Sequence, residues 1–347
     1  MNFSAELIAW YDQNKRDLPW RNTTDPYIIW LSEIILQQTR VEQGLPYFNR
    51  FANTYPTVAH FAAATEDDIL RLWQGLGYYS RGRNMLKTAR MVMEQYNGLF
   101  PSDYEELIKL KGIGEYTAAA IASFSANQAK AVVDGNVFRV LARYFGISEP
   151  INSSAGKRLF QQIADDMLDQ ARPALHNQAM MEFGAMLCKP KNPACGICPV
   201  RIGCYAFKNN AITTLPVKIN KIKVRKRYFN YLLIFKNGKI LINKRGENDI
   251  WANMYDLPLI ESSELLEIEQ VMTLVRENIY GVNVTLKDNS GIIKHILTHQ
   301  QLFIRFLVFT ELPKKLHGGW FYTDITNLDN LALPKSVFKF IKDFFNF

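Results

Sequence analysis

Cysteine is scarce in this chain, and all four cysteines of the 347 residues lie between positions 188 and 204. The rest of the chain cannot form disulfides, which excludes the disulfide-dense folds of small secreted proteins. Long apolar runs are also lacking, since no stretch approaches the ~18 uninterrupted apolar residues of a membrane span. Glu6 stands where a signal peptide would carry its apolar segment. We therefore expect an intracellular protein with no signal peptide and no transmembrane segment.

Acidic residues are absent from residues 218–227, although the chain as a whole carries 33 Asp and Glu and a net charge of +8. Residues 228–347 contain 13 cations and 13 acids, so the whole surplus of positive charge precedes them. Such a run is either a solvated linker or a set of phosphate contacts, and both readings stay open. Its cations are Lys218, Lys221, Lys223, Arg225, Lys226 and Arg227.

The basic run also separates two sequence patterns, and 347 residues exceed what one hydrophobic core usually serves. Before it, segments such as "DPYIIWLSEIILQQTR", "SDYEELIKL" and "GNVFRVLARYF" repeat apolar residues three or four apart, which predicts helices. After it, "YLLIFKNGKILINKR" and "QQLFIRFLVF" predict strands, and "TLVRENIY" predicts a helix. We therefore predict an all-α domain over 1–208, a basic linker over 209–227 and an α+β domain over 228–347.

The four cysteines, Cys188, Cys195, Cys198 and Cys204, are separated by six, two and five residues in an irregular stretch after a predicted helix. In a reducing compartment such a cluster indicates a metal site rather than disulfides. Structural zinc sites usually show two separated pairs of ligands, whereas four thiolates in one loop suit a cubane iron-sulfur cluster. The ligand types alone leave zinc open.

Two carboxyl groups are candidates for acid–base chemistry. Glu33 is the only charged residue between Asp25 and Arg40 and has apolar residues one turn before and after it, so burial should raise its pKa. The alternative is a glutamate that reaches solvent from a polar helix face. Asp134 precedes Gly-Asn at a predicted helix start, where it would serve as an N-cap, a role compatible with catalysis.

The segment "LKGIGEYTAAAIASF" places Gly112 and Gly114 just before a helix. Glycines permit the turn, and the N–H groups at the start of the helix can hold a phosphate without reading a base. On its own, an ordinary turn explains this pattern equally well.

Taken in order, "LPWR", "SEIILQQTRV", "GLGYYSRGRN", "LKGIGEYTA" and "VDGNVFRVLAR", followed by the cysteine loop, resemble the MutY-type adenine DNA glycosylases across nearly the whole chain. The resemblance implies a helix-hairpin-helix glycosylase domain with one [4Fe-4S] cluster, followed by a Nudix-like domain. It also implies a monomer that binds double-stranded DNA and removes adenine opposite 8-oxoguanine or guanine.

The resemblance further implies roles for individual residues. Glu33 would protonate adenine, and Asp134 would stabilise the cationic sugar. Tyr116 stands where strand-cutting relatives carry a nucleophilic lysine, which implies an enzyme without a dedicated lyase. Gln38 and Tyr78 would fill the gap left by the extruded adenine. The implied adenine pocket consists of Arg16, Leu18, Trp20, Arg21, Leu36, Gln178 and Met181.

In the second domain, "IWANMYDLP" resembles the turn of Nudix-like folds, but Asn278, Ile279 and Tyr280 stand where a metal-dependent hydrolase would need further acids. The resemblance implies that this domain recognises 8-oxoguanine. Its reading loop is commonly Phe-Ser-His, and the matching residues here are Leu297, Thr298 and His299, so the aromatic face is lost. The alternatives are a non-catalytic damage-binding protein and a thymine or uracil mismatch glycosylase.

Overall fold

A computed structural model of the chain describes residues 3–219, 224–280, 284–313 and 316–346 and divides them into two units. One unit, here called the helical unit, holds residues 3–63 and 84–219. The other, here called the sheet unit, holds residues 64–83 together with the described residues from 224 onward. Among the described residues, no helix has the length and apolar character that a membrane crossing requires.

Up to residue 219 the described chain is built from α-helices joined by short turns. They are α1 (Phe3–Asn14), α2 (Pro26–Ile35), α3 (Val41–Thr54), α4 (Val58–Ala63), α5 (Glu66–Leu72), α6 (Ser80–Gln95), α7 (Tyr104–Leu107), α8 (Glu115–Ala126), α9 (Gly135–Phe145), α10 (Ser154–Met167), α11 (Pro173–Met186) and α12 (Tyr205–Lys208). The predicted helical character of this region is confirmed.

Local sequence chemistry sets the starts of the two helices that matter most for the site. Asp25 caps α2 by accepting a hydrogen bond from the Tyr27 N–H, and Pro26 occupies the first helical position. Asp134 caps α9 by accepting from the N–H groups of Asn136 and Val137. Both starts therefore lie where the sequence predicts them.

One hydrophobic core of the helical unit is formed by α1, α9, α10 and α11, with Phe160 and Phe183 fully buried among their neighbours. Gly184 of α11 lies against α9, because a Cβ atom there would come within 2.6 Å of the Asn136 Cβ. This close approach holds the start of α9 against α11.

The sheet unit contains a mixed eight-stranded sheet in which β3, β2, β1, β7 and β5 lie side by side in that order. The β1–β7 pair is parallel, and the other pairings of the sheet are antiparallel. The strands are β1 (Arg225–Lys236), β2 (Lys239–Lys244), β3 (Tyr255–Asp256), β4 (Leu259–Ser262), β5 (Asp288–Asn289), β6 (Ile293–Ile296), β7 (Gln300–Phe309) and β8 (Trp320–Asp324). Helices α13 (Ile268–Val275) and α14 (Lys335–Phe345) pack on it, which confirms the α+β prediction.

Asn237 and Gly238 form the predicted hairpin turn between β1 and β2, and both have positive φ, at 51° and 74°. Positive φ at both central positions matches the twist of the flanking strands, which explains the Asn-Gly pair. The "SDYEELIKL" segment forms only the four-residue α7.

Strand β1 begins at Arg225, two residues before the predicted end of the linker at 227. Arg227 is buried and pairs with Asp249 and Glu261, each at 2.7 Å or less, so its charge is satisfied inside the unit. The Arg227 guanidinium is therefore engaged within the sheet unit, which leaves the phosphate reading to the other cations of the run. Lys221 and Lys223 of the basic run lie outside the described residues.

Candidate active site

A cavity of about 950 Å³ opens in the helical unit, and it brings together residues from five helices and their turns. Glu33, Asp134 and Tyr116 all line it. The residues predicted for base contact that also line it are Arg16, Leu18, Trp20, Arg21, Leu36, Gln38 and Met181. The candidate acid groups and most of the predicted adenine pocket thus share one space.

Glu33 lies on α2 and is 8% exposed, so the solvated alternative for this residue is wrong. Burial raises the pKa of Glu33 to about 7, although a 2.8 Å hydrogen bond from the Tyr116 hydroxyl lowers it. The negative charge of Asp134 also acts to raise this pKa and the positive charge of Arg21 to lower it, and about 7 is the net result. A carboxyl group with this pKa is partly protonated near neutral pH and can donate a proton.

Asp134 is held by three hydrogen bonds at the start of α9. Its Oδ1 accepts from the N–H groups of Asn136 and Val137, and its Oδ2 accepts from the Asn136 side-chain amide at 2.7 Å. Burial raises the pKa of Asp134, while these hydrogen bonds lower it. The predicted N-cap is confirmed, and the same carboxylate faces the cavity.

Tyr116 follows the predicted glycine turn, in the first turn of α8. Gly112 has φ of +80°, and a Cβ atom there would come within 2.8 Å of the Asn84 Cβ, so both conformation and space favour glycine. Gly114 is the N-cap of α8, and a Cβ atom there would meet open space. The turn therefore leaves the helix start accessible while the hydroxyl of Tyr116 is directed to Glu33.

Glu182 of α11 also lines the cavity, and the sequence reasoning missed it. Its carboxylate accepts hydrogen bonds from Arg16 at 2.7 to 3.0 Å and from Arg21 at 2.8 Å. Burial alone would raise the pKa of Glu182, but these hydrogen bonds lower it to about 2. The only available signal was a single charged residue inside the apolar segment "NQAMMEFGAML".

Trp20 and Gln178 of the predicted adenine pocket, and Gln38, predicted to fill the gap in the duplex, occupy different environments. Trp20 is 9% exposed and packs edge-on against Phe48, so it is a core aromatic as well as part of the cavity wall. Gln38 is exposed and has φ of 56°, a left-handed conformation that few residues other than glycine adopt. Gln178 lines a smaller cavity of about 40 Å³ with Glu33, and accepts a hydrogen bond from the Tyr11 hydroxyl.

The four cysteines line a small cavity of about 30 Å³ that also includes Arg143 and Phe183. Within the described ranges, no three His, Cys, Asp or Glu side chains are grouped closely enough to bind one metal ion. The four thiols nevertheless line a single cavity, as the sequence clustering predicts.

Two buried arginines of α9 hold the cysteine loop against this helix, and neither was recognised in the sequence. Arg139 donates to the Cys188 carbonyl at 2.7 Å and to the Asn136 side chain at 2.8 Å. Arg143 donates to the Cys188 sulfur at 3.5 Å and to the carbonyl of Lys189 at 2.7 Å. Arg139 and Arg143 therefore attach the cysteine loop to α9, the helix that Asp134 caps.

In the sheet unit, Leu297, Thr298 and His299 form the turn between β6 and β7. Thr298 and His299 are exposed, whereas Leu297 is half-buried against the hydrophobic core. Tyr78, also in the sheet unit, is 43% exposed with φ of 49°, and its hydroxyl hydrogen-bonds to the hydroxyl of Thr298. Tyr78 and the predicted reading loop therefore form one surface.

Two family descriptions match this chain: "HhH-GPD superfamily base excision DNA repair protein" over residues 31–165 and "NUDIX domain" over residues 230–343. An adenine DNA glycosylase of Buchnera aphidicola subsp. Baizongia pistaciae is 32% identical, over 98% of this chain and 95% of its own length. That of Homo sapiens is 43% identical, over 59% of this chain and 39% of its own length. A solved thermostable thymine-DNA glycosylase has a TM-score of 0.55 and 27% identity, over 59% of this chain and 95% of its own. The similarity that extends over nearly the whole chain is thus to an adenine DNA glycosylase.

Proposed function

The chain belongs to the MutY-type adenine DNA glycosylases, enzymes of base-excision repair, and we propose that it removes adenine paired with 8-oxoguanine or guanine in double-stranded DNA. One observation carries the proposal: a buried carboxyl group with a pKa of about 7 lies in the same cavity as a second carboxylate. Two carboxyl groups in different environments can divide acid and anionic roles between them.

Glu33 is the proton donor. Cleavage of the bond between adenine and deoxyribose leaves electrons on the base, and a proton delivered to the ring makes the base a better leaving group. Burial keeps Glu33 partly protonated near neutral pH, and the Tyr116 hydroxyl fixes the orientation of its carboxyl group. Tyr116 is a hydrogen-bond donor here and lacks the amine that a lyase reaction would use, which supports a monofunctional enzyme.

Asp134 stabilises the positive charge that develops on the sugar. Its carboxylate is oriented by the N–H groups of α9 and by Asn136, so little reorganisation is needed when the charge appears. Water then completes the hydrolysis at the sugar carbon, as in glycoside hydrolysis by paired carboxyl groups.

The adenine must leave the base stack before Glu33 can reach it. A cavity of about 950 Å³ is ample for one base together with its sugar. The ion pairs of Arg16 and Arg21 with Glu182 hold one wall of that cavity in place, which supports their proposed role in the adenine pocket. Gln38, exposed and left-handed at the cavity rim, and Tyr78 are the proposed wedge residues.

Contacts with the DNA backbone are proposed for the Gly112–Gly114 turn, where the accessible start of α8 presents N–H groups suited to a phosphate. Recognition of the opposite 8-oxoguanine is proposed for Thr298 and His299, whose exposed side chains can hydrogen-bond to a purine. Leu297 supplies an apolar edge in place of an aromatic face.

We expect the protein to act as a monomer.

The proposed cofactor is one [4Fe-4S] cluster bound by Cys188, Cys195, Cys198 and Cys204. Bound there, a cluster would fix the fold of the 188–204 loop and, through Arg139 and Arg143, its attachment to α9. Iron and sulfide analysis of anaerobically purified protein should give four irons per chain. Stoichiometric zinc without iron would contradict this assignment.

The function is tested with duplexes that carry adenine opposite 8-oxoguanine, adenine opposite guanine, and thymine or uracil mispairs. We expect release of adenine from the first two, faster from the first, and strand breaks only after alkali. Release of thymine or uracil in place of adenine would favour a thymine or uracil mismatch glycosylase. Tight binding without base release would favour a damage-binding protein.

A further inference from the structure

Residues 64–83, here called the wedge segment because they carry Tyr78, belong to the sheet unit although they lie within the helical part of the sequence. The first turn of α5 contacts β2, β3 and the loop between them through two acids, Asp67 and Glu66. Lys244 at the end of β2 donates to Asp67 Oδ1 at 2.7 Å, and Tyr255 of β3 donates to Asp67 Oδ2 at 2.9 Å. Both oxygens of one carboxylate are therefore used by two different strands.

Further contacts fix both ends of the wedge segment. Asn253 donates to Glu66 at 2.7 Å, beside Asp67, and Arg83 at the other end donates to the Ala252 carbonyl at 2.9 Å. All four attachments involve residues of β2, β3 and the loop between them. The wedge segment is thus held to one small region of the sheet unit at its start and at its end.

Inside the wedge segment, a chain of contacts leads to Tyr78. The Trp73 side chain is fully buried and donates to the Gly77 carbonyl at 2.9 Å, next to Tyr78. The Arg81 guanidinium lies 5.1 Å from the Trp73 ring and 5.7 Å from the Tyr78 ring, in cation–π range. These contacts surround Tyr78, whose backbone has a left-handed φ. The hydroxyl of Tyr78 hydrogen-bonds to Thr298.

We propose that Asp67 is a positioning residue for recognition of the base opposite adenine, because it attaches the wedge segment to β2 and β3 so that the Tyr78 hydroxyl orients Thr298. The inference deepens the proposed function and rests on it. Asp67 touches neither DNA nor the reacting atoms in this role. It acts through Tyr78.

This role differs from a contribution to stability alone. Asp67 and Lys244 are both partly exposed, with 36% and 44% of their side chains accessible, and ion pairs of that kind contribute little to folding. Loss of the attachment would instead let Tyr78 and Thr298 lose their fixed contact. The effect should therefore appear in substrate preference rather than in the melting temperature.

The experiment measures single-turnover adenine excision from duplexes with 8-oxoguanine or guanine opposite, using the full-length chain. Asp67→Ala should reduce the rate ratio for the two substrates by about 2- to 30-fold, the range found when a residue couples two sites without contacting the ligand. Asp67→Asn, which preserves shape and one acceptor, should reduce it less. Melting temperatures should stay close to that of the unchanged protein.

Asp68→Ala is the matched control. Asp68 is the neighbouring acid and belongs to the capping box with Thr65, so its contacts with Thr65 and Arg71 stay within the wedge segment. Asp68→Ala should keep the original ratio. An equal loss in the Asp68 and Asp67 variants would mean that the stability of α5, rather than its attachment, matters, and would overturn the proposal.

A double-mutant cycle tests whether Asp67 acts through Tyr78. Tyr78→Phe removes the hydroxyl that contacts Thr298, so adding Asp67→Ala to it should cost no more than Tyr78→Phe alone. Additive effects would overturn the proposal.

The Thr298→Ala variant distinguishes failure of the proposed function from failure of the role of Asp67. If it leaves the ratio unchanged, the proposed reading loop itself is wrong. If it lowers the ratio and Asp67→Ala does not, only the role of Asp67 fails.

Discussion

The cavity of the helical unit and the proposed reading surface of the sheet unit, formed by Leu297, Thr298, His299 and Tyr78, are built in opposite ways. The cavity gathers Glu33, Asp134 and Glu182, which are widely separated in sequence and are each held by hydrogen bonds, with Glu33 and Glu182 buried. The proposed reading surface consists of consecutive residues at one hairpin turn, of which Thr298 and His299 are exposed, together with Tyr78. Proton transfer needs a desolvated carboxyl group with a raised pKa, whereas recognition of a base needs polar groups that solvent and DNA can reach. Substitutions should consequently have large effects in the cavity and graded effects on the surface.

Glu33→Gln should have the largest effect, a loss of about 10²- to 10⁴-fold in single-turnover adenine excision, the usual contribution of a general acid. The amide keeps the shape and hydrogen-bonding capacity of the side chain but cannot donate the acidic proton. Excision by the unchanged enzyme should fall as pH rises through about 7, where Glu33 loses its proton.

This loss with rising pH should be absent from the residual activity of the Glu33→Gln variant. Duplex binding, measured in parallel, should be retained. Near-normal excision by the variant would refute Glu33 as the acid and with it the role of the desolvated cavity.

Asp134→Asn should follow, with a loss of about 10²- to 10³-fold in excision through removal of the anion beside the sugar. Asn is also a good N-cap and can still accept from the N–H groups of Asn136 and Val137 through its oxygen, so α9 should keep its start. Asp25→Asn, which makes the same change at the cap of α2, is the matched control and should retain activity. Equal losses in both variants would attribute the effect to capping.

Glu182→Gln tests the wall of the cavity rather than its chemistry. Breaking a buried ion pair on one side costs about 3–5 kcal/mol of unfolding free energy, because Arg16 and Arg21 lose their counter-ion. The pKa of Glu182 is lowered to about 2, so its stabilising contribution is present above its ordinary value near 4.5 and is lost as pH falls toward 2.

Urea unfolding at several pH values should therefore show a steeper loss of stability below pH 4.5 in the unchanged protein than in the Glu182→Gln variant. Lys109, whose ion pair with Glu106 is exposed, offers a contrast, since Lys109→Gln should leave the unfolding free energy nearly unchanged. Coincident stability curves for Glu182→Gln and the unchanged protein across this pH range would show that the network is not stabilising.

The same contrast explains which features could be predicted from the sequence. The starts of α2 and α9, the Asn-Gly hairpin and β7 depend on local chemistry, namely caps, φ requirements and apolar periodicity, and the structure agrees with the prediction for each. The pairing of Glu182 with Arg16 joins residues 166 positions apart, and no local pattern encodes it. The attachment of the wedge segment to β2 and β3 was missed for the same reason, since Asp67 and Lys244 are 177 positions apart.

His299→Ala should lower the preference for 8-oxoguanine over guanine by roughly 1–3 kcal/mol, the usual contribution of a good side-chain contact to a base. His299 is exposed, and its backbone carbonyl accepts from the Arg225 N–H at 3.0 Å, so the turn should remain folded without the ring. His317→Ala, which changes another exposed histidine of the sheet unit, should preserve the preference. A full preference in the His299 variant would remove this residue from the reading loop.

Leu297→Phe should have the smallest effect, because one face of this position packs against the core and the other is exposed. The Leu297 side chain packs partly against the core of the sheet unit, and its N–H donates to the Gln300 carbonyl at 2.8 Å to close the turn. A larger ring forced into that packing costs about 1–3 kcal/mol, whereas a ring turned toward solvent leaves the core untouched and offers an aromatic surface to the DNA. The turn is exposed on one side, so we expect the second arrangement, with a preference for 8-oxoguanine equal to or stronger than that of the unchanged protein.

The rate ratio for the two duplexes and the unfolding free energy, measured on the same preparations, distinguish the two arrangements. A weaker preference at unchanged stability would mean that the leucine is itself the better contact, and the reading surface would then be adapted to an apolar rather than an aromatic edge.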